Sequence, residues 1–134
     1  MAWSDRLLRA ARLVPIALLV AGCGGDGLVT STGTVTCDGR PLAEGAISFH
    51  PQEPGVAPQG GRVIDGRYRI RIQPGRQRVE IVASRPKADG AELTPGMKQM
   101  EQFLPSRYNA ESVLEATVRG RGRNVFDFDL QTAP

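Results

Sequence analysis

The chain has 134 residues and a formal net charge of +3. Three arginines and one aspartate within the first 22 residues account for two of these charges. The remaining residues therefore carry only about +1, which gives little support to a nucleic-acid partner. They are also few enough to form a single domain.

Residues 1–22 have the composition of a secretion signal. Arg6, Arg9 and Arg12 precede an uninterrupted apolar run from Leu13 to Ala21. A helix that spans a bilayer needs about 20 apolar residues, so this run is too short to remain as a span. A positively charged start, a short apolar middle and small residues at the cleavage point predict a signal peptide.

The end of that run, Val20-Ala21-Gly22-Cys23, resembles the bacterial lipobox. The resemblance implies that Cys23 receives a diacylglycerol and that cleavage precedes it. The protein would then be exported and lipid-anchored to a bacterial membrane, on its periplasmic or outer-membrane side. The alternatives are an ordinary secretory signal with a chance cysteine, or a short uncleaved anchor. Residues 23–31 are interpreted as the lipidated cysteine and a glycine-rich flexible tether.

From residue 32 onward the dominant period is two, which predicts strands with one buried face. Asp65-Gly66 between alternating segments predicts a two-residue hairpin turn. The predicted strands are residues 32–37, 46–50, 62–64, 67–72, 76–84, 113–118 and 124–130. The predicted inward residues are Val35 and Cys37; Ile47 and Phe49; Val63, Tyr68, Ile70 and Ile72; Val79, Ile81 and Ala83; Phe126, Phe128 and Leu130. About seven short strands indicate an all-β fold, a single Ig-like antiparallel β-sandwich.

Residues 85–112 interrupt this alternation. Thr94-Pro95 is typical of a helix start, and Met97, Met100 and Leu104 recur at helical spacing. We therefore predict a short helix near residues 95–103, with its methionines packed against the domain. A connection of this length is often functional when it is ordered.

Several segments together resemble a known family of small β-sandwich domains. They are Gly33-Thr34-Val35-Thr36, Asp38-Gly39-Arg40-Pro41-Leu42, Gly45-Ala46-Ile47-Ser48-Phe49, Asp65-Gly66-Arg67-Tyr68, Pro74-Gly75 with Val79 and Ile81, Tyr108-Asn109 and Phe126-Asp127-Phe128-Asp129. Their order resembles carboxypeptidase-regulatory-like, or transthyretin-like, domains, which occur in small bacterial lipoproteins. The resemblance spans residues 32–130 and leaves 131–134 as a tail. It departs at Cys37 and Gln77, where the family commonly has aromatic residues.

Residues suited to catalysis or metal binding are sparse. His50 is the only histidine, so neither a zinc site nor a Ser-His-Asp arrangement is expected. Hydroxyisourate hydrolases of transthyretin-like fold depend on several histidines and a C-terminal Tyr-Arg-Gly-Ser, which this chain lacks. Asp127, Asp129 and Glu115 are interpreted as solvated carboxylates rather than calcium ligands. Cys37 is expected to be an unreactive, buried thiol. We expect no cofactor and no enzymatic activity.

Basic residues supply the strongest binding hypothesis. Arg67, Arg69, Arg71 and Arg78 are predicted on outward strand positions, and Arg119, Arg121 and Arg123 form a basic turn. They either belong to an ordinary solvated surface or contact anionic lipid head groups or an acidic cell-wall polymer. We expect a non-enzymatic, lipid-anchored binding or scaffolding domain of the cell envelope. The alternative is a structural module that docks another envelope protein through a sheet edge or residues 85–112. A transthyretin-like hydrolase is a more distant alternative.

Overall fold

The computed structural model describes residues 25–134. The predicted signal peptide and the lipobox, including Cys23, lie outside the described residues. Within the described part of the chain, no helix has the length and apolar character needed to cross a bilayer.

The described residues are almost entirely β-structure. Their strands are β1 Val29–Cys37, β2 Arg40–Pro41, β3 Glu44–Pro51, β4 Gln59–Ile64, β5 Arg67–Ile72, β6 Gly75–Val82, β7 Ser84–Pro86, β8 Glu92–Thr94, β9 Met97–Lys98, β10 Met100–Gln102, β11 Leu114–Val118, β12 Asn124–Val125 and β13 Phe128–Leu130. A single 3₁₀ turn, Ser106–Tyr108, is the helical segment of this region. Six of the seven strands predicted from the alternation are present as single strands, and the seventh, residues 124–130, is divided into β12 and β13.

One sheet has the strand order β11-β6-β3-β4-β5-β1-β12, and β2 and β13 also pair with β1. Its two edge strands are joined by residues 119–123. Six Cα–Cα steps from Val118 to Asn124 reach at most about 20 Å, so the sheet must curl until these edges approach each other. Asn124 fastens this closure, because its Nδ2 donates to the Arg119 carbonyl at 2.9 Å and its Oδ1 accepts from the Arg119 amide at 2.8 Å.

The curled sheet encloses one apolar core, as the alternation predicts. Val35, Ile47, Phe49, Val63, Tyr68, Ile70, Ile72, Val79, Ile81, Ala83, Phe128 and Leu130 are buried there. The Tyr68 ring lies 6.1 Å from Phe49 and 6.5 Å from Phe128, centroid to centroid. The predicted inward residues Cys37 and Phe126 are partly buried against this core. The result is a sandwich-like all-β domain.

The pairing departs from the prediction at the C-terminal strand, which runs parallel to β1 rather than antiparallel to a neighbour. Ser31 pairs with Asn124, and Val35 with Phe128. Residues 119–123 connect β11 at one edge of the sheet to β12 at the other edge. The C-terminal strand therefore starts at the same end of the sheet as β1 and runs parallel to it. Strand β1 also begins at Val29, three residues earlier than predicted.

The predicted helix near residues 95–103 is wrong. Pro95-Gly96 instead forms the tight turn between β8 and β9, where Gly96 adopts a φ of +83° that favours glycine. Met97 and Met100 are 59% and 55% exposed, so their predicted packing is also wrong. Strand β10 pairs with β7, and we call residues 84–102 the arm.

Candidate binding groove

The three predicted arginines of β5 lie side by side on the outer face of the sheet. Arg67, Arg69 and Arg71 are exposed and alternate with the buried Tyr68, Ile70 and Ile72. Residues two apart on a strand are separated by about 6.6 Å, so the three guanidinium groups form one row along β5.

Arg78 does not belong to this row. It lies on β6, which β3 and β4 separate from β5. Three inter-strand spacings place it about 14 Å away. Its Nη2 pairs with Glu80 Oε1 at 2.6 Å. Arg71 is likewise engaged, because its Nη2 donates to Asp26 Oδ1 at 2.7 Å and to the Leu28 carbonyl at 3.3 Å.

Arg67 and Arg69 line a groove of about 760 Å³ on this outer face. Its other lining residues include Thr32 and Thr34 of β1, Arg62 and Ile64 of β4, and Val125 and Asp127 beside β1. Within residues 25–134, neither Arg67 nor Arg69 forms an ion pair, whereas Arg62 pairs with Glu44 at 2.6 Å. Among the described residues, these two guanidinium groups therefore have no carboxylate partner.

The groove also offers apolar surface. Ile64 is 51% exposed and Val125 is 45% exposed, and both line it. Neither residue stands out from the sequence pattern alone. The pairing of Ile64 with Arg67 across the hairpin could have revealed the first, because directly paired residues share a face. Val125 could not be placed without the parallel pairing of β12 with β1.

Asp127 forms the wall of the groove opposite the arginines and is held rigidly. Its Oδ1 accepts from the Thr34 amide at 2.8 Å and from Thr34 Oγ1 at 2.9 Å. Asp129 accepts in the same way from Thr36 Oγ1. Both carboxylates thus fasten the C-terminal strand to β1.

The third carboxylate considered for calcium lies elsewhere. Glu115 on β11 pairs with Arg76 at 3.1 Å and accepts from Gln52 at 3.0 Å. The Arg76 hydrogen bond, followed by that from Gln52, lowers the pKa of Glu115. No group of three or more His, Cys, Asp or Glu side chains in residues 25–134 is arranged to hold a metal ion.

The remaining candidate reactive groups lie outside the groove. His50 Nε2 is 3.3 Å from Glu80 Oε2. Burial, and then the negative charge of Asp38, raises the pKa of the Cys37 thiol. Because the thiolate is the nucleophilic form, this shift makes Cys37 a poor nucleophile near neutral pH.

No protein-family model and no curated protein sequence matches the chain. Among solved structures, it is similar to a 9R-lipoxygenase from Cyanothece PCC8801, with a TM-score of 0.41 and 13% identity. This similarity covers 78% of the present chain and 16% of the lipoxygenase. A similarity at this level supports no assignment of family or activity.

Proposed function

We propose that this protein is a lipid-anchored, non-enzymatic domain of the bacterial envelope that binds an acidic polymer in the groove. The observation that carries the binding role is the pair of exposed arginines Arg67 and Arg69, which form no ion pair within residues 25–134 and lie beside the exposed apolar Ile64 and Val125. Guanidinium groups recognise carboxylates and phosphates through paired hydrogen bonds. The apolar side chains would contact the sugar or alkyl carbons that separate such charges.

The anchoring role rests on the resemblance of residues 20–23 to a lipobox. The described chain starts two residues after Cys23, and Asp26 is bound to Arg71. Three residues reach at most about 11 Å, so a lipid on Cys23 would hold this end of the domain close to its bilayer. Two or more acyl chains suffice for stable attachment.

Cell fractionation tests the anchor. Cys23→Ala is expected to move the protein from the membrane fraction to the soluble fraction, because no thioether lipid can form. Retention of this variant in the membrane fraction would contradict lipid attachment.

Polymer binding tests the groove. The probes are polygalacturonate for carboxylates and polyphosphate for phosphates, with neutral dextran as the blank. Two exposed charge contacts of about 1 kcal/mol each predict a roughly thirtyfold loss of affinity in Arg67→Ala/Arg69→Ala. Arg40→Ala is the matched control, since Arg40 is exposed on β2 and lies outside the groove. Equal effects of these variants would contradict the groove as the binding site.

A second candidate function is docking of another envelope protein through the arm. The observation that favours it is the exposure of Leu93, Met97 and Met100, at 65%, 59% and 55%. Exposed methionines and leucines are common on adaptable protein-binding surfaces. Loss of a stoichiometric partner in pull-downs with Met97→Ser/Met100→Ser, with polymer binding unchanged, would favour this function over the first.

A further inference from the structure

The connection between β11 and β12 concentrates positive charge. Arg119, Arg121 and Arg123 are all exposed, and none of them forms an ion pair within residues 25–134. We call residues 119–123 the basic turn. It is held in place by the two hydrogen bonds between Asn124 and Arg119, and Asn124 itself is buried. Because these hydrogen bonds hold the two ends of the turn together, its three guanidinium groups project from a fixed backbone.

The basic turn lies at the end of the domain where the chain enters from its N-terminus. Asn124, the first residue after the turn, pairs with Ser31, two residues after the start of β1. Val118, the last residue of β11, pairs with Gly75 at the start of β6. We call this end of the sheet the anchor end, because Asp26 and Leu28 contact Arg71 there.

The anchor end has a positive charge excess. Its arginines Arg71 and Arg76 are neutralised by Asp26 and Glu115. Glu53, in the loop after β3, is the remaining exposed carboxylate that the structure describes at this end. The three arginines of the basic turn outnumber this one carboxylate. The anchor end therefore has a net charge of about +2 that can interact with an anionic surface.

We propose that the basic turn rests on the anionic lipid head groups of the membrane that holds the anchor, and so fixes the orientation of the domain. This inference depends on the lipid anchor proposed above. An arginine close to such a surface strengthens binding about fivefold, so a net charge of about +2 favours this orientation by roughly twenty-five-fold. The arm then begins at the end of the domain that is remote from the bilayer, because β6 extends from the anchor end over eight residues, about 24 Å, before residue 84.

Trypsin tests this orientation on the unmodified protein, because the basic turn itself contains three cleavage sites. The full chain is purified in detergent from membranes of the expressing bacterium. It is then reconstituted into vesicles of phosphatidylcholine alone or of phosphatidylcholine with phosphatidylglycerol. Cleavage after the three turn arginines is quantified by mass spectrometry relative to cleavage after Lys87 and Lys98. These lysines are exposed in the arm and act as an internal control.

On vesicles that contain phosphatidylglycerol, we expect cleavage in the basic turn to fall at least tenfold relative to the arm. High salt is expected to restore it, since screening weakens contacts between exposed charges. Protein that stays on both vesicle types with an equally cleaved turn would overturn the orientation and leave the anchor intact. Equal protection on both vesicle types would also overturn it, because the contact would not depend on lipid charge. Protein that does not stay with vesicles at all would overturn the anchor and the orientation together.

Discussion

At Gly33, the backbones of β1 and the C-terminal segment approach closely, and Gly33→Ala is expected to be strongly destabilising. A methyl group at this position would lie 1.8 Å from the carbonyl oxygen of Phe126 and 2.8 Å from the Tyr68 hydroxyl. Carbon and oxygen in contact need about 3.3 Å. The Phe126 backbone must therefore move by roughly 1.5 Å, while the close packing of the core resists such a shift.

The displacement would break three hydrogen bonds that close this edge of the sheet. They are Phe126 N to Thr32 O at 3.0 Å, the Tyr68 hydroxyl to Phe126 O at 2.7 Å, and Thr34 N to Asp127 Oδ1 at 2.8 Å. Each contributes about 1 kcal/mol, and the half-buried Tyr68 hydroxyl would lose its acceptor, which costs roughly 1 kcal/mol more. We therefore expect Gly33→Ala to lower the free energy of unfolding by about 3–4 kcal/mol, out of a typical 5–15 kcal/mol.

Urea titration followed by far-ultraviolet circular dichroism measures this difference, and Tm should fall by about 15 °C. Gly60→Ala is the matched control, because Gly60 also lies in a strand of this sheet. A methyl group there meets Ser48 Oγ at 3.4 Å and the Ile47 carbonyl at 3.5 Å, which is ordinary contact. A Gly33→Ala protein as stable as the Gly60→Ala protein would refute the close crossing and the position of Asp127 in the groove.

Two further substitutions test polar groups that the sequence analysis left unexplained. Gln77 is fully buried; its Nε2 donates to the Gln73 carbonyl at 2.8 Å, while its Oε1 has no partner among the described residues. Gln77→Met removes that buried acceptor at similar volume, and it also removes the Nε2 hydrogen bond to the carbonyl of the half-buried Gln73, which water can replace. The free energy of unfolding should therefore rise by about 1 kcal/mol, measured as a Tm about 4 °C higher; a lower Tm would contradict this. Hydrogen bonds from the Thr132 hydroxyl and amide lower the pKa of Asp38, so Thr132→Val should raise that pKa in a carbon-13 titration. The stability difference between Thr132→Val and wild type should be present above about pH 4 and vanish as the pH falls through the lowered pKa; a difference that persists in acid would contradict the linkage.

The core was predictable because the alternation of strands is a local property. Val63, Tyr68, Ile70 and Ile72 follow from period two and from the Asp65-Gly66 turn alone, without knowledge of the partner strands. The arm was not predictable in this way. The spacing of its apolar residues fits helix and irregular hairpin alike, and the turn at Gly96 decided between them.

The candidate groove was predictable only in part, since its composition depends on strand order. The row of three arginines follows from one strand and was found. The exclusion of Arg78 required the positions of β3 and β4 between β5 and β6. Val125 and Asp127 enter the groove because the C-terminal strand crosses to the far edge and pairs with β1. The connection from one edge of the sheet to the other, residues 119–123, has no periodic sequence pattern from which its path could be predicted.

The groove and the basic turn lie at different heights above the anchor end, and this difference bears on the partner proposed for each. Thr32 and Thr34, beside the groove, lie three to five residues beyond the start of β1 at Val29, about 10–17 Å along the strand. The polar head-group layer of one leaflet is only about 5–8 Å thick. A domain that stands on its basic turn therefore holds Arg67 and Arg69 beyond the reach of the lipid head groups, so that a ligand in the groove must come from outside the membrane. If phosphatidylglycerol in the vesicle that holds the anchored protein displaced polygalacturonate from the groove, this division would fail, and the basic turn and the groove would have to be treated as one lipid-binding surface.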